Sequence, residues 1–157
     1  MRPIPILTYH QIAQAPARGS PMRSLYVSPR DFAVQMHTLS FLGYQGLSMT
    51  ALMPYLTGEK IGKVVGITFD DGYVNNLENA LSVLQQFNFS STCYVVSELL
   101  GTTNRWDHAL GVAPAPLMDA SQLQQWIDGG QEIGSHTQHH VDLTQTDSKT
   151  SHSEIHN

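Results

Sequence analysis

Ten consecutive residues limit what this chain can fold into more than any others: Val64-Val65-Gly66-Ile67-Thr68-Phe69-Asp70-Asp71-Gly72-Tyr73. Residues 63–69 read as a strand apolar enough to be covered on both faces, the pattern of a parallel sheet. The strand runs straight into two adjacent carboxylates and a glycine. A buried strand ending in paired acids places charge at the mouth of a fold, where chemistry usually sits. On these residues alone, a solvated turn or a cap for the next helix is an equal alternative.

The flanking segments alternate strands with helices. Residues 4–9 form a short strand with His10 at its end, and residues 11–27, with Pro16, Gly19 and Pro21, read as a loop. Ser28-Pro29-Arg30-Asp31 is a helix start, with Ser28 as N-cap and Pro29 at the first helical position. Phe32, Met36 and Leu39 then make one apolar stripe through about Leu42, and Gly43 stops it. Residues 45–48 are a short strand, Thr50 is expected to cap a weak helix through Leu56, and residues 58–62 turn. After the acidic turn, Leu77, Ala80, Leu81 and Leu84 predict a helix running to about Phe87, and residues 92–96 another strand.

Residues 97–117 carry Gly101, Gly111, Pro114 and Pro116 with little periodicity and read as mostly loop, of a length that is often functional. Asp119 and Gln122 have the spacing of a capping box for a helix bearing Leu123, Trp126 and Ile127, ended by Gly129-Gly130. Residues 131–135 are a last strand, followed at once by His136-Thr137-Gln138-His139-His140. Such alternation implies right-handed crossovers and a mainly parallel sheet, with ligands at the carboxyl ends of the strands. His10, Asp70-Asp71 and the histidine cluster all fall at such ends.

Composition removes several function classes. The length of 157 residues fits one domain, 1–157, and the hydrophobic content of 41% against 13% charged is that of a globular chain. A net charge of −5 with scattered basic residues argues against nucleic acid or an anionic membrane as main partner. No leader and no stretch long enough to span a bilayer is visible, so the product as written is expected in the cytoplasm. The lone Cys93 lies in an apolar run and reads as a buried, inert thiol.

His136 and His140 stand four positions apart. On a helical turn that spacing puts both imidazoles on one face, within reach of one ion. Two histidines and a carboxylate, with positions left for water, make a catalytic arrangement for zinc or a similar divalent ion. The pair also occurs by chance in histidine-rich segments. His139 would then point elsewhere, to the surface or behind the site. Adjacent acids in an extended segment point in opposite directions, so one can ligate the ion while its neighbour faces the water. Gly72 would let the backbone approach a substrate closely.

Thr68-Phe69-Asp70-Asp71-Gly72 and Ser135-His136-Thr137-Gln138-His139-His140 resemble the first two motifs of the polysaccharide deacetylases, the NodB-homology carbohydrate esterases. Ile6-Leu7-Thr8-Tyr9-His10, Tyr94-Val95-Val96, Trp106-Asp107 and Gln131-Glu132-Ile133-Gly134 resemble the family as well, so the likeness reaches to about Leu143. It implies a distorted (β/α) barrel and hydrolysis of an acetyl group from an N-acetylated amino-sugar glycan. Asp70 would be the general base, and Asp71, His136 and His140 the ligands of a divalent metal, usually zinc. The Tyr73 N–H would hold the oxyanion. The opening Tyr-His is similar to the poly-N-acetylglucosamine deacetylase branch, which would make His10 the general acid. The family is often extracytoplasmic.

The likeness also has gaps. Val141 stands where the family has proline, and the arginine-bearing third motif and later strands do not follow the histidine cluster. A partial barrel is therefore expected, with C-terminal units missing and a strand edge left open. The competing readings are a non-catalytic remnant that binds metal or carbohydrate only, and an O-acetyl esterase on a glycan. Which glycan and which oligomeric state are not legible.

Overall fold

A computed structural model describes residues 3–156. Its centre is β5 (Val64–Phe69), all six residues of which are buried. β1 (Ile6–Tyr9) pairs with one edge of β5, while β4 (Gln45–Leu47) and β6 (Thr92–Val95) share the other, β4 beside its first half and β6 beside its last. β7 (Glu132–Ser135) pairs with β6, and every pairing is parallel. This is the expected α/β sheet. The two-residue strands β2 (Gln11–Ile12) and β3 (Tyr26–Val27) form a separate parallel ribbon inside the segment expected to be loop. Their hydrogen bonds come partly from side chains far along the chain, which local patterning does not report.

The helices are α1 (Pro29–Phe41), α2 (Met49–Leu56), α3 (Val74–Asn79), α4 (Leu81–Gln86), α5 (Ala120–Asp128) and α6 (Ser148–His156). Ser28 caps α1 by accepting from the Asp31 N–H, and Asp119 and Gln122 close the reciprocal capping box of α5. Three local expectations need correction. The cap of α2 is Ser48, which accepts from the Ala51 N–H, and Thr50 lies inside the helix. The helix expected to run to Phe87 is two helices, with a break at Ala80 between them. Ile127 does not join the buried stripe of α5 but is 41% exposed, leaving Leu123 and Trp126 to face the core.

An aromatic cluster sits directly beneath the carboxyl ends of the central strands. Tyr9 closes β1 and Phe69 closes β5; their rings stack at 5.5 Å. Phe32 packs edge-on to Tyr9 at 5.1 Å, and Trp126 edge-on to Phe69 at 5.5 Å. The Tyr9 hydroxyl donates to Gln35 at 2.7 Å, and the Trp126 indole donates to the Glu132 carbonyl at 3.2 Å. His10 and Asp70 are the residues that follow Tyr9 and Phe69, so this cluster fixes the strand ends that carry them. Trp126→Ala should cost about 3–5 kcal/mol in urea unfolding. A loss below about 1 kcal/mol would show that the cluster is not the keystone described.

Among the described residues no strand covers the outer edge of β1 or β7, and Ile133 on β7 is 39% exposed. No helix is long and apolar enough to cross a membrane.

Candidate metal centre and active site

Three strand ends meet at one rim of the sheet. His10 follows β1, Asp70 and Asp71 follow β5, and His136 follows β7. The two acids do diverge, though not because the segment is extended. Asp71 is in the left-handed region at φ 74° and Gly72 follows at φ 80°. Aspartate tolerates that conformation better than most residues. Gly72 is needed for this turn and for its packing, since a Cβ there would stand 3.1 Å from Val95. The left-handed step turns the Asp71 side chain inward, to 3% exposure, and leaves Asp70 at 21%.

Inside, Asp71 Oδ1 lies 3.4 Å from His136 Nε2 and 3.2 Å from His140 Nε2. Neither contact has hydrogen-bond geometry, so this buried oxygen has the two imidazoles beside it and no hydrogen-bond partner. An unpaired buried carboxylate oxygen is costly. Two atoms each about 2.1 Å from a tetrahedral zinc stand about 3.4 Å apart, which matches both separations. The three residues can each offer one ligand atom within 4.8 Å of the others. The donor set and its spacing thus fit a divalent ion. Burial alone would raise the Asp71 pKa, but the two imidazoles outweigh it and hold the carboxyl well below the usual range. The same carboxylate raises the His136 pKa against the opposing effect of burial.

Asp70 faces outward from this group, with Oδ2 3.8 Å from His10 Nε2. Burial raises its pKa, partly offset by His10 and then His136. A carboxylate and an imidazole flanking a metal-ligand set can take up and return a proton. No acceptor among the described residues takes the Tyr73 N–H, and the buried Tyr73 hydroxyl is also unpaired. Burial, followed by the Asp71 charge, raises the pKa of that phenol.

The histidine pair converges by a route the sequence did not indicate. Residues 136–140 are not helical. Thr137 and His140 both have positive φ, 65° and 59°. Left-handed geometry is a genuine outlier for a β-branched residue and signals a turn held from outside. The Thr137 hydroxyl accepts from the His140 N–H at 2.9 Å, and the Thr137 and Gln138 carbonyls accept from the Ser97 and Glu98 N–H groups. Residues 97–117 are accordingly tied down, with short 3-10 turns at Ser97–Leu99 and Arg105–Leu110. From the second of these, the Trp106 ring stacks on His140 at 4.3 Å and 19°.

Two supporting residues were missed. Asn76 of α3 is fully buried, donates to the His10 carbonyl at 2.8 Å and accepts from the Ile12 N–H at 3.2 Å, which fixes the loop bearing His10. Buried in a helix with a leucine stripe, it could have been flagged only as a polar residue on the apolar side. Glu154 of α6 accepts from the Gln138 and His139 N–H groups and pairs with the His139 ring. Lying in a polar segment, it carried no signal. Cys93 is buried and unpaired as expected, and burial pushes its thiol up.

Comparisons with known proteins agree on one family. The sequence profile described as Polysaccharide deacetylase matches residues 57–157. YxkH of Bacillus subtilis (strain 168), which carries the name of a polysaccharide deacetylase, is 30% identical over 142 residues, covering 89% of this chain and 44% of its own length. The structure is similar to that of the Streptococcus pyogenes deacetylase PplD in complex with acetate, with a TM-score of 0.78 and 27% identity over 97% of this chain and 64% of that one. A polysaccharide deacetylase from Bacillus cereus, BC0361, has a TM-score of 0.73 and 29% identity over 96% of this chain and 43% of its own. The chain therefore spans less than half of the curated relative and under two thirds of these solved chains.

Proposed function

The chain belongs to the polysaccharide deacetylase family, and we propose that its site removes acetyl groups from an N-acetylated amino-sugar glycan with a divalent metal, zinc, held by Asp71, His136 and His140. The observation that carries this reading is the unpaired Asp71 Oδ1 with two imidazole nitrogens at ligand spacing, beside an outward-facing carboxylate. PplD, a deacetylase, was solved with acetate, the acid that such a reaction releases.

When bound, the ion would polarise the acetyl carbonyl and lower the pKa of water toward neutrality. Asp70 would take a proton from the water that adds to the carbonyl carbon. Tyr73 offers its N–H to the oxygen on which negative charge develops. As the C–N bond breaks, His10 Nε2 gives a proton to the departing amine, so that acetate and a free amino sugar leave. Asn76, which donates to the His10 carbonyl, steadies the loop that carries this imidazole. Asp70 and His10, which follow the adjacent carboxyl ends of β5 and β1, thereby divide the work of base and acid.

The test is acetate release from a soluble N-acetylglucosamine oligomer by the zinc-loaded chain. Acetate freed from acetylated xylan but not from this oligomer would transfer the reading to an O-acetyl esterase. Stoichiometric zinc with no hydrolysis, even of an activated acetyl ester, would leave a protein that only binds.

A further inference from the structure

α6 docks in an unusual way. Its only buried residue is Glu154, at 7% exposure, while its neighbour Ile155 is 54% exposed. A helix normally docks through an apolar stripe, and a glutamate is almost never buried without partners. Here the partners are all in one place. Glu154 Oε2 accepts from the N–H groups of Gln138 at 3.0 Å and His139 at 2.9 Å, and Oε1 lies 2.8 Å from His139 Nδ1. Those two N–H groups belong to the turn that separates His136 from His140. The turn contains two strained left-handed residues, Thr137 and His140, and such strain persists only where the surroundings over-determine it.

On its opposite side the turn gives its Thr137 and Gln138 carbonyls to Ser97 and Glu98. Two of its backbone donors are thus held by one carboxylate, a third by the Thr137 hydroxyl, and two of its acceptors by the segment after β6. Without Glu154, two N–H groups lose their acceptor and the turn can relax toward ordinary φ values. His140 would then rotate away from Asp71, although Glu154 touches neither ligand ring.

We propose that Glu154 is a positioning residue for the metal centre: it clamps the 137–140 turn in its left-handed form and so sets the spacing of His136 and His140. This rests on the reading of Asp71, His136 and His140 as metal ligands. The contribution is to preorganisation: the clamp holds the two imidazole nitrogens 3.4 and 3.2 Å from Asp71 Oδ1, the spacing of two ligand atoms on one tetrahedral ion.

Zinc affinity measured against a competing chromophoric chelator tests it, with Glu154→Leu and Glu154→Gln compared with the unaltered chain. Glutamine keeps an oxygen for both N–H groups and an amide for the neutral His139 ring; leucine keeps only the bulk. Partners lying one step behind metal ligands typically govern affinity by about ten- to a hundredfold. Glu154→Leu should therefore bind zinc about 10- to 100-fold more weakly, and Glu154→Gln within about threefold of the unaltered chain. Equal affinity in Glu154→Leu, or an equal fall in both variants, overturns the proposal. Should Glu154→Leu not fold, amide exchange of the unaltered metal-free chain decides. The Gln138 and His139 amides should exchange at least about a hundredfold more slowly than free peptide, and unprotected amides overturn the clamp. Slow amides in a chain that takes up no zinc would instead sink the metal reading and leave the clamp standing.

Discussion

Asp71→Asn should lower zinc affinity by more than about a hundredfold, since loss of even an outer hydrogen-bond partner of a ligand costs ten- to a hundredfold. Asp71 supplies the only anionic atom among the three candidate ligands, and its Oδ1 is the point on which both imidazoles converge. An amide there has no charge to offer and brings a donor into a cluster of nitrogen atoms. Acetate release should fall to background at ordinary zinc concentrations. The unaltered chain should show the same loss on chelation and recover when zinc is returned. Retained affinity in a folded Asp71→Asn protein would mean that the ion, if any, sits elsewhere.

Asp70→Asn should do the opposite: leave zinc affinity within about threefold and lower acetate release by about 10²–10⁴-fold, the usual contribution of a general base. Its side chain faces His10, 3.8 Å away, and stands outside the candidate ligand group. The two variants together form a double dissociation. If Asp70→Asn loses zinc as completely as Asp71→Asn, the division of labour between the acids is wrong, even if the family's chemistry stands. Calorimetric or chelator-based affinities beside acetate assays read both effects on the same preparations.

Much of the framework was legible because it rests on local or periodic burial. The run from Val64 to Phe69 announced the central strand, and six buried residues in parallel pairing on both edges are what such a run requires. Ser28-Pro29 and Asp119–Gln122 announced helix starts because capping is a contact between near neighbours in sequence. Where two local signals compete, the sequence alone does not choose between them. Thr50 looked like a cap, but Ser48 already satisfied the Ala51 N–H. A continuous leucine stripe hid the break at Ala80, since α3 turns its polar Asn76 inward toward the loop bearing His10.

The candidate site was legible in its membership and not in its geometry. His136 and His140 were paired by helical spacing, yet they meet across a non-helical turn. Asp70 and Asp71 were separated by strand alternation, yet a left-handed backbone step separates them. In both cases residue identity groups atoms that the fold also brings together, but through a conformation the chain does not adopt.

The amino-acid sequence by itself determined the parallel α/β frame, the strand end on which the acids lie and the residue types available for a metal and a proton. These follow from apolar periodicity, chain-local capping and side-chain chemistry, all of which are written within a few residues. Only the tertiary structure decided that Asp71 turns inward, that the 137–140 turn is left-handed, and that Asn76 and Glu154 hold the two loops in place. The reason is physical: left-handed φ values at Asp71, Thr137 and His140 are locally unfavourable. Hydrogen bonds from distant segments hold the 137–140 turn, where Glu154 reaches the His139 N–H across 15 positions, and no local pattern encodes a bond of that kind.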